Sequence, residues 1–272
     1  MSIASHQRAA ANARFQTALA VTGFLAVVLI FVGLLLAQYL PAPYASWSPE
    51  RLDEFYDSHN DLRRLGIVMM LFGTTMFVAL VSGMKVVLAR IEGPPRTLAT
   101  LQANIGAAGT VLLMLFAMIT AVAAYRPERN PEITQALHDL GWYMAFISAV
   151  PFIIQALAIA VCVLGNKQTL LPRWFGYLNI SVAVLLLPGV SMLFFHSGPL
   201  SYHGILTYWV PLFDFGIWML AMAWAIWYAS RRPDPADEAL ARAQRAHPLS
   251  LDDELPRPTD GRSDDARTEV PA

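Results

Sequence analysis

Six stretches of this chain are long, apolar and almost free of charge, and that pattern leaves few folds open. They fall at about residues 17–39, 65–89, 98–124, 139–164, 174–196 and 204–229. At about 1.5 Å of rise per residue, a helix of each length crosses about 30 Å of hydrocarbon. In hydrocarbon every backbone N–H and C=O needs an internal partner, which a helix supplies. The expected fold is therefore all-α: a polytopic membrane bundle of six transmembrane helices over residues 17–229. A polar segment, 1–16, precedes it and a tail, 230–272, follows it.

The composition agrees. Charged residues make up 14 % of the chain, against about 25 % in a soluble domain, and the mean hydropathy is +0.46. The charges gather in short connections and in the last forty or so residues. The tail is rich in Pro, Asp, Arg and Ala and has no aromatic residue, so it is expected to stay disordered. The first apolar run is too long for a signal-peptide core and has no convincing cleavage site, so it reads as a retained span. No basic domain points to nucleic acid. The single cysteine, Cys162, cannot form an internal disulfide or a cysteine-rich metal cluster. No P-loop, G-x-G-x-x-G after a strand or G-x-S-x-G is present, which argues against a nucleotide-driven pump or a dinucleotide enzyme.

Lys and Arg near the span ends set the expected orientation. Arg8, Arg14, Lys85, Arg90, Arg96, Lys167, Arg173, Arg231 and Arg232 fall on one side; Arg51, Arg63, Arg64, Arg126 and Arg129 fall on the other. The richer side is expected in the cytoplasm, with both termini. The longest outer connection carries a helix signal: Ser48 as cap and Pro49 at the first helical position. Leu52, Phe55, Tyr56 and His59 then recur at helical spacing, predicting a short outer amphipathic helix.

Several intramembrane residues are candidates for function. Asp214 lies about ten residues into the sixth span, where a carboxylate costs several kcal/mol unless paired, protonated or wet. His203, Thr207, Val210/Pro211 and Asp214 follow i, i+4, i+7/8, i+11, so they are expected to make one stripe running from the outer surface inward. Ser148 and Gln155 share a face of the fourth span beside Pro151. His59, His138, His196 and His203 are all expected on the outer side, where imidazoles can relay protons or hold haem or a metal. Their spacing matches no metal signature, so no metal site is expected. Gln102, Asn104, Gly106 and Gly109 in the third span and Asn179, Pro188 and Ser191 in the fifth read as helix-packing positions.

Three sequence elements together carry a resemblance: Leu171–Asn179 (LPRWFGYLN) leading into a span with Pro188-Gly189, Arg126–Glu132 (RPERNPE), and Ser48–Tyr56 (SPERLDEFY). Over roughly residues 15 to 230 the chain resembles a group of uncharacterised six-span integral membrane proteins of actinobacteria and some proteobacteria. That resemblance implies the six-span fold and a bacterial inner-membrane location. It brings no activity, cofactor or catalytic residue.

Three functions fit these features. The first is a protein that binds or transports an apolar or amphipathic small molecule, for which Asp214 should face a water-accessible cavity. The second is a membrane enzyme on a lipid-like substrate, with Asp214 or a histidine such as His203 within reach of a second titratable group. The third is an accessory subunit of a membrane complex, in one form haem-binding, presenting a small-residue face to a protein partner or second copy. The lipid bilayer is the partner common to all three.

Overall fold

The computed structural model describes residues 3–126, 128–166 and 170–232, with side chains from residue 13 onward. Within these residues the chain is helical: α1 (Ile3–Leu36), α2 (Pro49–Asp57), α3 (Asn60–Glu92), α4 (Thr97–Tyr125), α5 (Pro131–Ile147), α6 (Ala149–Gly165), α7 (Arg173–Leu185) and α8 (Val210–Ser230). A 3₁₀ segment, Leu187–Leu193, extends α7, and a π-wound turn, Ile205–Trp209, leads into α8. Six spans are long and apolar enough to cross a membrane, with α5 and α6 making the fourth. Their limits lie within a few residues of expectation, except that the fourth starts at Pro131 rather than near 139. The tail from residue 233, the expected disordered segment, and Lys167 lie outside the described residues.

The surface suits hydrocarbon. Large apolar side chains stand exposed on every span, among them Phe24, Phe72, Val111, Val161, Val184 and Ile217. In water such a belt would drive association; in a bilayer it is the solvated face. With no hydrophobic force acting between helices there, close packing must come from small residues. A Cβ on Gly33 would lie 2.6 Å from the Gly66 carbonyl, so α1 and α3 meet backbone to backbone at this pair. A Cβ on Gly106 would collide with the Gln155 side chain at 2.6 Å, so this glycine makes the room in which Gln155 reaches α4.

Polar side chains tie the ends together. Arg64 donates to the Ala124 and Tyr125 carbonyls at 3.1 and 3.0 Å, capping the end of α4. At the far end Arg90 donates to the carbonyls of Ala229 and Arg232, both at 2.9 Å. The Glu92 carboxylate accepts the Leu98 and Ala99 N–H groups at 2.9 and 3.0 Å, so an acid sits at the positive start of α4. Ser48 caps α2 as expected, its Oγ accepting the Arg51 N–H, and Leu52 and Tyr56 are buried beneath that helix. His59 departs from expectation. The helix ends at Asp57, and His59 is exposed in the left-handed region (φ 53°) at the start of α3.

Three prolines interrupt three spans. A proline has no N–H for the carbonyl four residues back, and its ring crowds that carbonyl. Before Pro151 the fourth span breaks at Ser148, between α5 and α6. Before Pro188 α7 ends at Leu185 and tightens to 3₁₀. Before Pro211 the chain is π-wound. All three interruptions meet the same cavity.

Candidate functional site

All six spans contribute to that cavity, which measures about 130 Å³. Ile30 and Leu34 come from α1, Met70 and Thr74 from α3, and Leu113 and Phe116 from α4. The interrupted spans supply Trp142, Ser148 and Ala149, then Leu186 and Gly189, then Tyr208, Pro211 and Leu212. Phe152 and Phe215, with ring centroids 4.9 Å apart, lie between the cavity and the fully buried Trp218. Trp218 is locked in turn by its indole N–H, which donates to Asn179 Oδ1 at 2.9 Å. Cavities of about 150 Å³ lined by aliphatic and aromatic carbon stay dry and accept a benzene-sized molecule.

The cavity wall has little polarity, and most of it is already used by the protein. Thr74 donates to the Met70 carbonyl at 2.9 Å and Ser148 to the Ala145 carbonyl. The Tyr208 hydroxyl donates to the Tyr39 carbonyl. Trp142 is 2 % exposed, and its indole nitrogen has no hydrogen-bond partner among the described residues. Its ring is held by neighbours: Tyr202 lies parallel at 5.9 Å, with Phe116 at 5.0 Å, Tyr39 at 5.5 Å and Tyr208 at 5.7 Å.

Next to this wall, at the α2 end of the bundle, is a buried polar cluster. Tyr39 Oη and Tyr56 Oη are 3.1 Å apart, and Tyr56 Oη is 2.8 Å from His138 Nδ1. His138 is fully buried and its Nε2 has no partner among the described residues. Arg63 is also fully buried. Its guanidinium donates to the carbonyls of Tyr56 and Ser58 and to Gln38 Oε1, and lies 3.9 Å over the Phe55 ring. Among the described residues it has no carboxylate partner, so carbonyl dipoles and ring faces alone offset a cost of several kcal/mol.

Known proteins add nothing to this geometry. The chain matches no protein family, no curated protein and no solved structure.

The predicted residues separate. His203 stands in a turn before the helical segment, Thr207 lies within the π-wound turn, and Asp214 lies in α8. Thr207 is fully buried and donates to the Pro188 carbonyl at 3.2 Å, with Ser191 Oγ at 3.3 Å, binding the sixth span to the fifth. His203 packs against Tyr44 at 4.3 Å, and its Nδ1 faces Ser201 Oγ and the Ala45 N–H. Burial holds the His203 imidazole below the ordinary histidine range. Asp214 is half-buried, is not on the cavity wall, and its Oδ2 has no hydrogen-bond partner among the described residues.

Ser148 is on the cavity wall, as part of the helix break. Gln155 is fully buried and donates to Gln102 Oε1 at 3.1 Å, while Gln102 donates to the Val81 carbonyl at 3.2 Å. These two glutamines join three spans. His196 is exposed and His138 is buried against Tyr56, so the imidazoles do not assemble. Among the described residues no group of three or more His, Cys, Asp and Glu side chains is placed to hold a metal. The His138–Tyr56 contact does put a histidine within reach of a titratable group, but neither residue lines the cavity.

Three participants were not singled out from sequence: Tyr39, Arg63 as a buried cation, and Trp142 as a cavity residue. Trp142 had a readable signal, since it stands one helical turn after His138 in a span. Arg63 had one too. Adjacent arginines on a helix point about 100° apart, so Arg63 and Arg64 meet different surroundings.

Proposed function

We propose that this chain is an integral membrane protein that takes an apolar, ring-sized molecule from the bilayer into the cavity between its three interrupted spans. The observation that carries the reading is that wall. It is almost wholly aliphatic and aromatic carbon, it draws on every span, and its hydroxyls already donate to the protein. Burying such a molecule gains roughly 25 cal/mol per Å² relative to water. Relative to lipid the gain comes from shape and dispersion, which favours a rigid ring over a flexible chain. Asp214 lies outside this wall and has no part in the reading.

The same proposal places the chain in a bacterial inner membrane with the α2 end outward, and among the six-span bacterial group that it resembles. The test uses the full chain in lipid nanodiscs and α-methylstyrene as an apolar probe. Saturable one-site binding is expected, and Ala145→Phe, which fills the cavity, should weaken it at least tenfold. Undiminished binding by a folded Ala145→Phe protein would remove the cavity from consideration.

A further inference from the structure

The end of the bundle opposite α2 carries a fixed pair of cations. Arg231 and Arg232 follow directly on α8, and both are exposed. The Arg231 guanidinium lies 4.3 Å over the Trp227 ring and the Arg232 guanidinium 4.1 Å over the Tyr228 ring, each ring four residues back on the helix. A ring against the face of a guanidinium leaves the N–H groups at its edge open to an acceptor. Among the described residues neither side chain makes a hydrogen bond or an ion pair. The backbone beneath them is held by Arg90, which donates to the Ala229 and Arg232 carbonyls, both at 2.9 Å. Those bonds also cover part of the negative end of α8, which would otherwise repel an anion. Glu92 is the sole acid among the described residues at this end, and its carboxylate is taken by the Leu98 and Ala99 N–H groups. The acids from Asp234 on lie outside the described residues.

The rings reach the outside of the bundle. Trp227 is 37 % exposed, and Tyr228 stacks at 4.7 Å on Trp224, which meets the 49 % exposed Trp174 of α7 at 5.0 Å. Aromatic rings at span ends mark the level of the lipid headgroups. Stacking on them keeps the two guanidinium groups beside lipid. We infer that Arg231 and Arg232 bind the phosphate of an anionic phospholipid such as phosphatidylglycerol. A guanidinium fork bonds phosphate oxygens two at a time. A zwitterionic headgroup brings its own cation, which these arginines repel, so the site discriminates by charge. Stacking alone does not make such a site. At the opposite end Arg51 lies 4.5 Å over Trp47, but it shares α2 with Glu50, Asp53, Glu54 and Asp57, which repel a phosphate. The inference is independent of the cavity.

The test titrates phosphatidylglycerol and phosphatidylcholine with identical acyl chains into the full chain in detergent and counts retained lipid by native mass spectrometry. The ratio of the two affinities is taken within each protein, so that differences in the amount of folded protein cancel. The wild-type ratio is expected to favour phosphatidylglycerol about tenfold. Arg231→Gln and Arg232→Gln should each lower it about threefold, and the double variant should bring it near unity. Arg51→Gln, at the other end, should leave it unchanged. A wild-type ratio near unity overturns the inference, and so does a preference that survives both single variants and the double one. Inorganic phosphate supplies the last arm. Failure of millimolar phosphate to displace phosphatidylglycerol is expected of a lipid site, whereas displacement would make free phosphate the occupant and overturn the lipid assignment.

Discussion

Tyr39 and Tyr56 show what burial does to a titratable side chain in this protein. Burial pushes the Tyr39 phenol up to about 12, partly offset by its contact with Tyr56 and by the charge of Arg63. Burial pushes Tyr56 well above its ordinary value too, and the neighbouring Tyr39 adds to the shift. A phenol whose folded value is raised stabilises the fold while it is neutral in both states. That stability is complete below the unfolded value of about 10 and is lost as pH rises through the folded value. For Tyr39 the loss amounts to at most about 3 kcal/mol. Thermal unfolding in detergent should therefore be flat up to about pH 10 and then fall steeply. Tyr39→Phe should make the alkaline fall shallower, and an identical fall in that variant would place the titration elsewhere.

At the scale of elements, prolines and glycines act in opposite ways. Pro151, Pro188 and Pro211 withhold backbone hydrogen bonds and open the bundle where the cavity forms. Gly33, Gly66 and Gly83 let helices close. The atoms they meet differ, and so should the cost of filling the space. A Cβ at Gly66 would lie 2.5 Å from the Ala37 nitrogen and the Gly33 oxygen, both backbone. A Cβ at Gly83 would meet Cδ1 of Ile226 at 2.8 Å, the flexible end of a side chain. Gly66→Ala must separate α1 from α3 and should cost about 2–3 kcal/mol, whereas Gly83→Ala should cost under about 1 kcal/mol. Unfolding by SDS titration ranks the two variants, and equal midpoints would show that the α1–α3 approach is not the tight one.

For the whole molecule, the proposed orientation puts the start of the first span and the end of the sixth on one face of the membrane. The far end of the bundle carries Arg90, Arg96, Arg173, Arg231 and Arg232, against Arg51, Arg64, Arg126 and Arg129 at the α2 end with Arg63 buried. Taking Arg63 out of the exposed set sharpens the imbalance on which the proposed orientation depends. Single cysteines in a Cys162→Ala background report it. Glu128→Cys, in the exposed connection before α5, should react with a membrane-impermeant maleimide added to intact cells. Thr97→Cys, at the exposed start of α4, should react only after the membrane is opened. The reverse pattern would invert the topology.

The number of long apolar helices and the Ser48 cap were legible in the sequence, because each depends on local properties: a run of apolar residues, and a hydroxyl before a proline. The expected spacing of His203, Thr207 and Asp214 assumed regular α-winding, whereas Ile205–Trp209 is π-wound, next to Pro211 with its missing donor and with Thr207 bonded to the fifth span. Which of two adjacent arginines is buried, which tryptophan lacks a partner, and which intramembrane polar groups are already satisfied depend on contacts between residues far apart in the chain. Only the packed bundle brings Tyr39 to Tyr56 and His138 and leaves the Trp142 N–H unpaired, since a hydrogen bond is made or missed over a few tenths of an ångström.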